Sequence, residues 1–254
     1  MRSLQRESQE SAGASRTTFE RSYVRTLFDT IASRYDFLNH LLSLSLDVRW
    51  RRKAIELLLK YKPTRVLDVG TGTADFAIEA SRLRPEQICG VDISPEMMRI
   101  GREKIARRGL QSIITLEEGS AEQLRFADRS FDAVTVAFGI RNFSDLERGL
   151  SEMYRVLCPG GMAVILEFSR PRRAPFKQIY SFYFNRILPI VGGMLSRSRE
   201  AYAYLPKTVE QFPDGEELLN HLAAVGFTQL RQYPVTFGIA TIYLAEKSTQ
   251  QNEV

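Results

Sequence analysis

The first twenty residues hold few large apolar side chains, and from Tyr23 the pattern changes. Val24, Leu27, Phe28 and Ile31 recur at helical spacing and predict one apolar helix face. A second helix is predicted from Asp47 to Tyr61, with Asp47 as its N-cap and Pro63 barring its continuation. From residue 64 short apolar runs alternate with helical stretches. RVLDVG (65–70), QICGVDI (87–93), SIITLEEG (112–119), FDAVTVAFG (131–139) and MAVILEFS (162–169) read as strands. The first intervening helix ends at Arg84 before Pro85. The second opens at Ser94-Pro95-Glu96, where Ser94 can cap, Pro95 suits the first turn and Glu96 favours the positive end of the dipole. Residues 145–157 are helical, and Pro159-Gly160-Gly161 reads as a turn. Near the end come a helix from Gly215 to Ala224, stopped by Gly226, and two strands, 227–234 and 237–246, joined so tightly that they must pair antiparallel. This rhythm predicts an α/β fold. It is a doubly wound, mostly parallel seven-stranded sheet with a helical cap before it and a helical insert before the last helix.

The chain has 254 residues, enough for a substantial core, and 44% apolar with 26% charged residues excludes wholesale disorder. Residues 1–20 read as a disordered tail, and 21–254 as a single domain. No apolar signal segment is visible at the N-terminus. Cys89 and Cys158 read as small packing residues, too few for a disulfide scaffold, so a reduced cytosolic setting is expected. The net charge of +5 is unevenly placed. Residues 170–207 carry eight basic side chains and one acid, whereas the rest has 27 basic and 29 acidic residues. A protein uniformly coated in nucleic acid is thereby excluded, and one local basic feature is left to explain.

The first strand runs into Asp68-Val69-Gly70-Thr71-Gly72-Thr73-Ala74-Asp75. Gly70 and Gly72 let a ligand approach the backbone at the carboxyl edge of the sheet, where doubly wound folds bind nucleotides; an ordinary tight βα turn is the plainer reading. Asp75 stands where a dinucleotide fold has its third glycine, and an acid there would repel a pyrophosphate. Asp92 ends the second strand, placed to accept from two ribose hydroxyls. Ser120-Ala121 follows the third strand, where an adenine edge would lie. A nucleoside site with an acidic turn fits S-adenosylmethionine, whose sulfonium and amino groups are positive, and so a class I methyltransferase of Rossmann-like fold.

YDFLNHLLSLSLDVRW (35–50), VLDVGTGTADF (66–76), GVDISPEMM (90–98), AFGIRNFSD (137–145) and RVLCPGGMAVILEFS (155–169) together resemble the ubiquinone/menaquinone biosynthesis C-methyltransferase family, from about Tyr23 to Lys247. The family usually has Met at Leu38, His at Asp47 and Lys at Cys158. The resemblance implies S-adenosylmethionine contacts at Thr73, Asp92, Ser120 and Ala121, beside the turn of Asp68, Gly70 and Gly72. It also implies C-methylation of a polyprenyl quinol ring, either demethylmenaquinol, towards which the departure from the His-containing signature leans, or a ubiquinone-precursor quinol.

Such chemistry needs a deprotonated quinol held about 3–3.5 Å from the methyl group, with water excluded. Arg141 can stabilise a phenolate, and Asn142 offers both donor and acceptor; a salt bridge from Arg141 to Asp145 or Glu147 is the competing reading. Tyr35, Asp36 and Asn39 form a polar cluster expected to close over the ring. His40 and His221 lack companions at metal-ligand spacing, and no metal is expected. Residues 170–207 mix their positive charge with Phe176, Ile179, Tyr180, Phe182 and Tyr183, which suits a lid at an anionic bilayer surface. The alternative is core aromatics under solvated arginines. Residues 179–195 are interrupted by Arg186, Pro189 and Gly192-Gly193 and make a poor membrane span. The expected partners are the quinol and the inner face of the cytoplasmic membrane, without nucleic acid; a homodimer is compatible. A nucleotide-dependent oxidoreductase, an RNA or protein methyltransferase and a non-catalytic membrane module remain the competing classes.

Overall fold

The computed structural model describes residues 20–43, 45–182, 186 and 199–249. The tail expected over 1–20 lies outside the described residues except for Glu20, as does most of 183–198. β1 (Arg65–Val69), β2 (Gln87–Asp92), β3 (Ile114–Glu118), β4 (Phe131–Ala137) and β5 (Leu157–Phe168) pair in parallel. β7 (Ala240–Lys247) runs antiparallel between β5 and β6 (Phe227–Val235), giving the order β3-β2-β1-β4-β5-β7-β6. The tight 3-10 turn Thr236–Gly238 between β6 and β7 enforces that reversal.

The helices are α1 (Arg21–Leu42), α2 (Leu46–Leu58), α3 (Asp75–Ala80), α4 (Pro95–Arg107), α5 (Leu146–Val156), α6 (Phe176–Phe182), α7 (Arg199–Gln211) and α8 (Glu216–Val225). They cover both faces of the sheet because each central strand is apolar on both sides. In β5, Ala163 and Ile165 pack in one core with Leu150, Met153, Leu218 and Leu222 of α5 and α8. The alternate residues Met162, Val164 and Leu166 pack in a second core with Trp50, Ala54, Ile55 and Leu58 of α2. Each such aliphatic side chain stabilises the fold by about 1.5–3 kcal/mol on burial. Ser94 caps α4 by accepting from Met97 N at 3.2 Å, as its sequence position predicts.

Two local expectations are corrected. Asp47 does not cap α2; Ser45 holds that place with φ 59°, and Asp47 lies inside the first turn, buried. Its carboxylate accepts from Ser43 Oγ at 2.6 Å, Arg51 Nη1 at 2.6 Å and His40 Nδ1 at 3.0 Å. A buried carboxylate needs such donors and a counter-charge, which a surface cap position would not supply. Burial alone would raise its pKa, but these partners outweigh burial and hold it below the usual range. Pro159-Gly160-Gly161 is not a turn ahead of the strand, because β5 already starts at Leu157. Phe131 pairs with Leu157 while Ala133 pairs with Met162, so the extra residues form a bulge, eased by Gly160 at φ 78°.

The N-terminal cap is a strap across the carboxyl edge of the sheet. Along α1, Arg25 reaches Glu118 at 3.1 Å, Asp29 accepts from Ser94 Oγ at 2.6 Å, and Asp36 accepts from Thr73 Oγ1 at 2.5 Å and Lys104 Nζ at 3.0 Å. The helix therefore passes over the ends of β3, β2 and β1 in turn. Among the described residues no helix is long and apolar enough to cross a membrane.

Candidate functional site

β1 delivers the chain into a turn that only unusual backbone can make. Gly70 and Gly72 have φ of 67° and 53°, and Ala74 follows at 65°. Left-handed backbone is open to glycine but costly for other residues, so the turn is specified by its glycines. It is pinned to β2: Gly70 N and Thr71 N donate to Val91 O at 2.8 and 3.0 Å. Gly72 N donates to Asp92 Oδ2 at 2.8 Å, and Ser94 N to Asp92 Oδ1 at 2.9 Å. Each Asp92 oxygen thus keeps acceptor capacity for a further donor. Burial pushes the Asp92 carboxyl above its ordinary value, against the pull of the Ser94 and Gly72 amides.

Above this turn lies a cavity. Gly70, Gly72, Asp92, Ile93, Met97, Ala121 and Glu122 line it, together with Phe28, Tyr35, Phe138, Gly139, Asn142 and Phe143. Of the residues expected to meet a cofactor, Gly70, Gly72, Asp92 and Ala121 face it. The other three stand behind it. Asp68 is buried, accepting from Thr71 Oγ1 at 2.7 Å and Thr135 Oγ1 at 2.8 Å, and burial pushes its pKa up to about 6. Thr73 gives its hydroxyl to Asp36. Ser120 donates to Glu122. Asp75, read from sequence as a free repelling charge, is paired with Lys104, so its charge is offset within the protein.

The sequence-predicted catalytic trio divides. Tyr35 and Asn142 line the cavity, whereas Arg141 lies behind it, 5% exposed at its side chain. Its partner is neither Asp145, which caps α5, nor Glu147, which pairs with His221. Arg141 Nη1 instead donates to Glu167 Oε1 and to Phe138 O, both at 2.6 Å. Its Nε is buried without a hydrogen-bond partner among the described residues. Burial opposes the charge, but Glu167, Tyr35 and Tyr204 outweigh burial and raise the pKa of Arg141 above its ordinary value. Phe138 takes φ 57°, costly for a bulky residue, and so turns its carbonyl toward Arg141. Burial raises the Tyr35 phenol above its ordinary value, against Arg141 and a hydrogen bond from Asn39, so it stays a neutral donor at physiological pH. Asp36 does not close over the cavity, being bound to Thr73 and Lys104.

Glu122, Glu167 and Phe138 were not foreseen from sequence. Glu167 had a signal: a lone acid inside the apolar run MAVILEF must be paired if buried. Glu122 accepts from Ser144 N and Oγ, both at 2.7 Å. Burial alone would raise its pKa, but Ser120 and Ser144 outweigh it and hold Glu122 ionised below the usual range.

Known proteins resemble this chain in sequence and in fold. The chain is 51% identical over 225 residues to a demethylmenaquinone methyltransferase of Bacteroides fragilis, covering 88% of this chain and 92% of the relative. It is 50% identical over 234 residues to a ubiquinone/menaquinone biosynthesis C-methyltransferase of Geobacter sulfurreducens, covering 91% of each. A solved SAM-dependent methyltransferase from Thermotoga maritima shares the fold with TM-score 0.61 at 20% identity, over 88% of this chain and 99% of that one. The sequence profile of the ubiE/COQ5 methyltransferase family matches residues 16–247, and the chain belongs to that family.

Proposed function

We propose that the protein transfers a methyl group from S-adenosylmethionine to a ring carbon of demethylmenaquinol, a polyprenyl quinol of menaquinone biosynthesis. The observation that carries this reading is one cavity whose lining combines two chemistries, a carboxylate-and-glycine group at Asp92 and an aromatic, hydrogen-bonding group at Tyr35 and Asn142. The first group fits the cofactor. Asp92 keeps acceptor capacity for the ribose hydroxyls, and a Cβ at Gly72 would meet nothing within 4 Å. S-adenosylmethionine supplies the electrophilic methyl group.

In the same cavity Phe28, Phe138 and Phe143 offer flat apolar walls for a quinol ring. Tyr35 and Asn142 hold a ring oxygen by donating to it. The buried Arg141 cation behind them favours the deprotonated oxygen that makes the ring carbon nucleophilic. The apolar walls exclude water, and a bound ring would have to lie about 3–3.5 Å from the methyl group for transfer.

The basic, aromatic surface of residues 170–182 meets an anionic bilayer, where the isoprenoid tail resides. Phe182 is 62% and Phe237 67% exposed, Phe176 stacks on Phe237 at 3.7 Å, and Arg173 and Lys177 are exposed beside them. Liposome flotation tests this: binding indifferent to anionic lipid and to charge reversal at Arg172, Arg173 and Lys177 overturns it.

The reaction is tested by radiolabelled methyl transfer to demethylmenaquinol and to a ubiquinone-precursor quinol in parallel. Label is expected in the naphthoquinol ring. Label only in the benzoquinol, or in neither, overturns the assignment.

A further inference from the structure

α7 returns the chain from the basic segment to the core, and its side chains are buried where they face inward: Tyr204, Thr208 and Val209, and Phe212 just after the helix, are at most 6% exposed. Thr208 Oγ1 donates to Tyr204 O at 3.1 Å, one turn back. The helix packs on the 3-10 turn Ile140–Asn142 that follows β4. There the Tyr204 hydroxyl donates to Asn142 Oδ1 at 3.0 Å, across 62 residues of sequence.

That bond fixes which way the Asn142 carboxamide points. A carboxamide has one acceptor and one donor end, and rotation about its terminal bond exchanges them. Asn142 Nδ2 lies 3.5 Å from Phe138 O, a carbonyl already drawn into place by Arg141. The reversed amide would set two oxygens against each other at Phe138 and leave the Tyr204 hydroxyl facing an NH2 group. With Oδ1 engaged by Tyr204, the remaining N–H of Asn142 is left for the cavity that Asn142 lines. Burial pushes the Tyr204 pKa up to about 12, so the hydroxyl remains a donor across the physiological range.

We infer that Tyr204 is a positioning residue: it locks the Asn142 carboxamide so that its N–H donates into the cavity, toward the oxygen of the ring to be methylated. The inference rests on the quinol reading above and deepens it. It also ties the basic segment to the reaction, since the helix that returns from that segment carries the residue that orients Asn142.

The test uses the full chain with radiolabelled S-adenosylmethionine and a short-tailed demethylmenaquinol. Tyr204→Phe keeps the buried ring and removes only the donor. Its kcat is expected to fall about tenfold, the worth of one hydrogen bond. KM and calorimetric Kd for S-adenosylmethionine should stay within about twofold of the unaltered protein, and the acid limb of the kcat–pH profile should move upward because the ring oxygen has lost a donor. The double variant with Asn142→Ala should be no slower than Asn142→Ala alone. Unchanged kcat in Tyr204→Phe overturns the inference, as do losses that multiply in the double variant. Full activity of Asn142→Ala also overturns it, while methylation of demethylmenaquinol by the unaltered protein would leave the quinol reading standing.

Discussion

Gly70, Gly72 and Asp92, which line the cavity, come from the turn after β1 and the end of the adjacent parallel strand β2, and Asp92 is held by two backbone amides. Tyr35, Phe138, Asn142, Glu167 and Tyr204 come instead from four separate segments, and side-chain bonds between them do the orienting. The first group is therefore robust to side-chain change outside a short motif. The second depends on each distant partner, and removing any one releases another. On the function proposed above, binding chemistry resides in backbone geometry and reaction chemistry in a network of side chains.

The largest effect expected from breaking this contrast is at Arg141. Arg141→Ala leaves the Glu167 carboxylate buried without its cation and should cost about 3–5 kcal/mol in urea unfolding. It should lower turnover far more than affinity for S-adenosylmethionine; unchanged turnover with quinol would count against any role for Arg141 in the reaction. The paired change Arg141→Met with Glu167→Leu should restore much of the stability without restoring turnover, separating the two roles.

Next in size is Asp92. Asp92→Ala removes two acceptors and should weaken calorimetric binding of S-adenosylmethionine about 100-fold. The quinol KM should be nearly unchanged, because Tyr35 and Asn142 rather than Asp92 hold the ring; a shift shared equally by both ligands would break the division between the two groups. Tyr35→Phe should lower kcat about tenfold with cofactor Kd held, one donor to the ring being lost.

The smallest effect is a matter of pH. Asp68, whose burial pushes its folded pKa to about 6, well above the ordinary aspartate range, binds its proton more tightly when folded. Its contribution to stability therefore falls as pH rises from about 4 to about 6, and the penalty is complete above that. Asp47 and Glu122, held below their ordinary values, act in the opposite sense at lower pH. Asp68→Asn should remove the Asp68 slope alone, so that Tm rises more steeply between pH 4 and 6 than in the unaltered protein. An identical Tm–pH curve would show that Asp68 does not titrate in that window.

The strands, their order of appearance and the glycine turn were legible because they are local. A buried strand needs a short apolar run, and left-handed backbone needs glycine, whatever surrounds them. Ser94 as a cap was legible for the same reason. Asp47 was not, because its place depends on His40 and Arg51 converging on it, and from sequence an acid before a helix looks the same whether exposed or buried. The bulge at Gly160 depends on the register of β4 against β5, which no stretch of one strand encodes.

The sequence by itself determined the doubly wound sheet, the glycine turn after β1 and the residues Tyr35, Asp92 and Asn142 that face the cavity, since each follows from a contiguous pattern. Only the tertiary structure decided that Arg141 lies behind the wall, joined to Glu167 rather than to its helical neighbours, and that Tyr204 reaches Asn142. The physical reason is that a buried charge or amide takes its orientation from whatever partner packing delivers. That partner can lie anywhere in the chain.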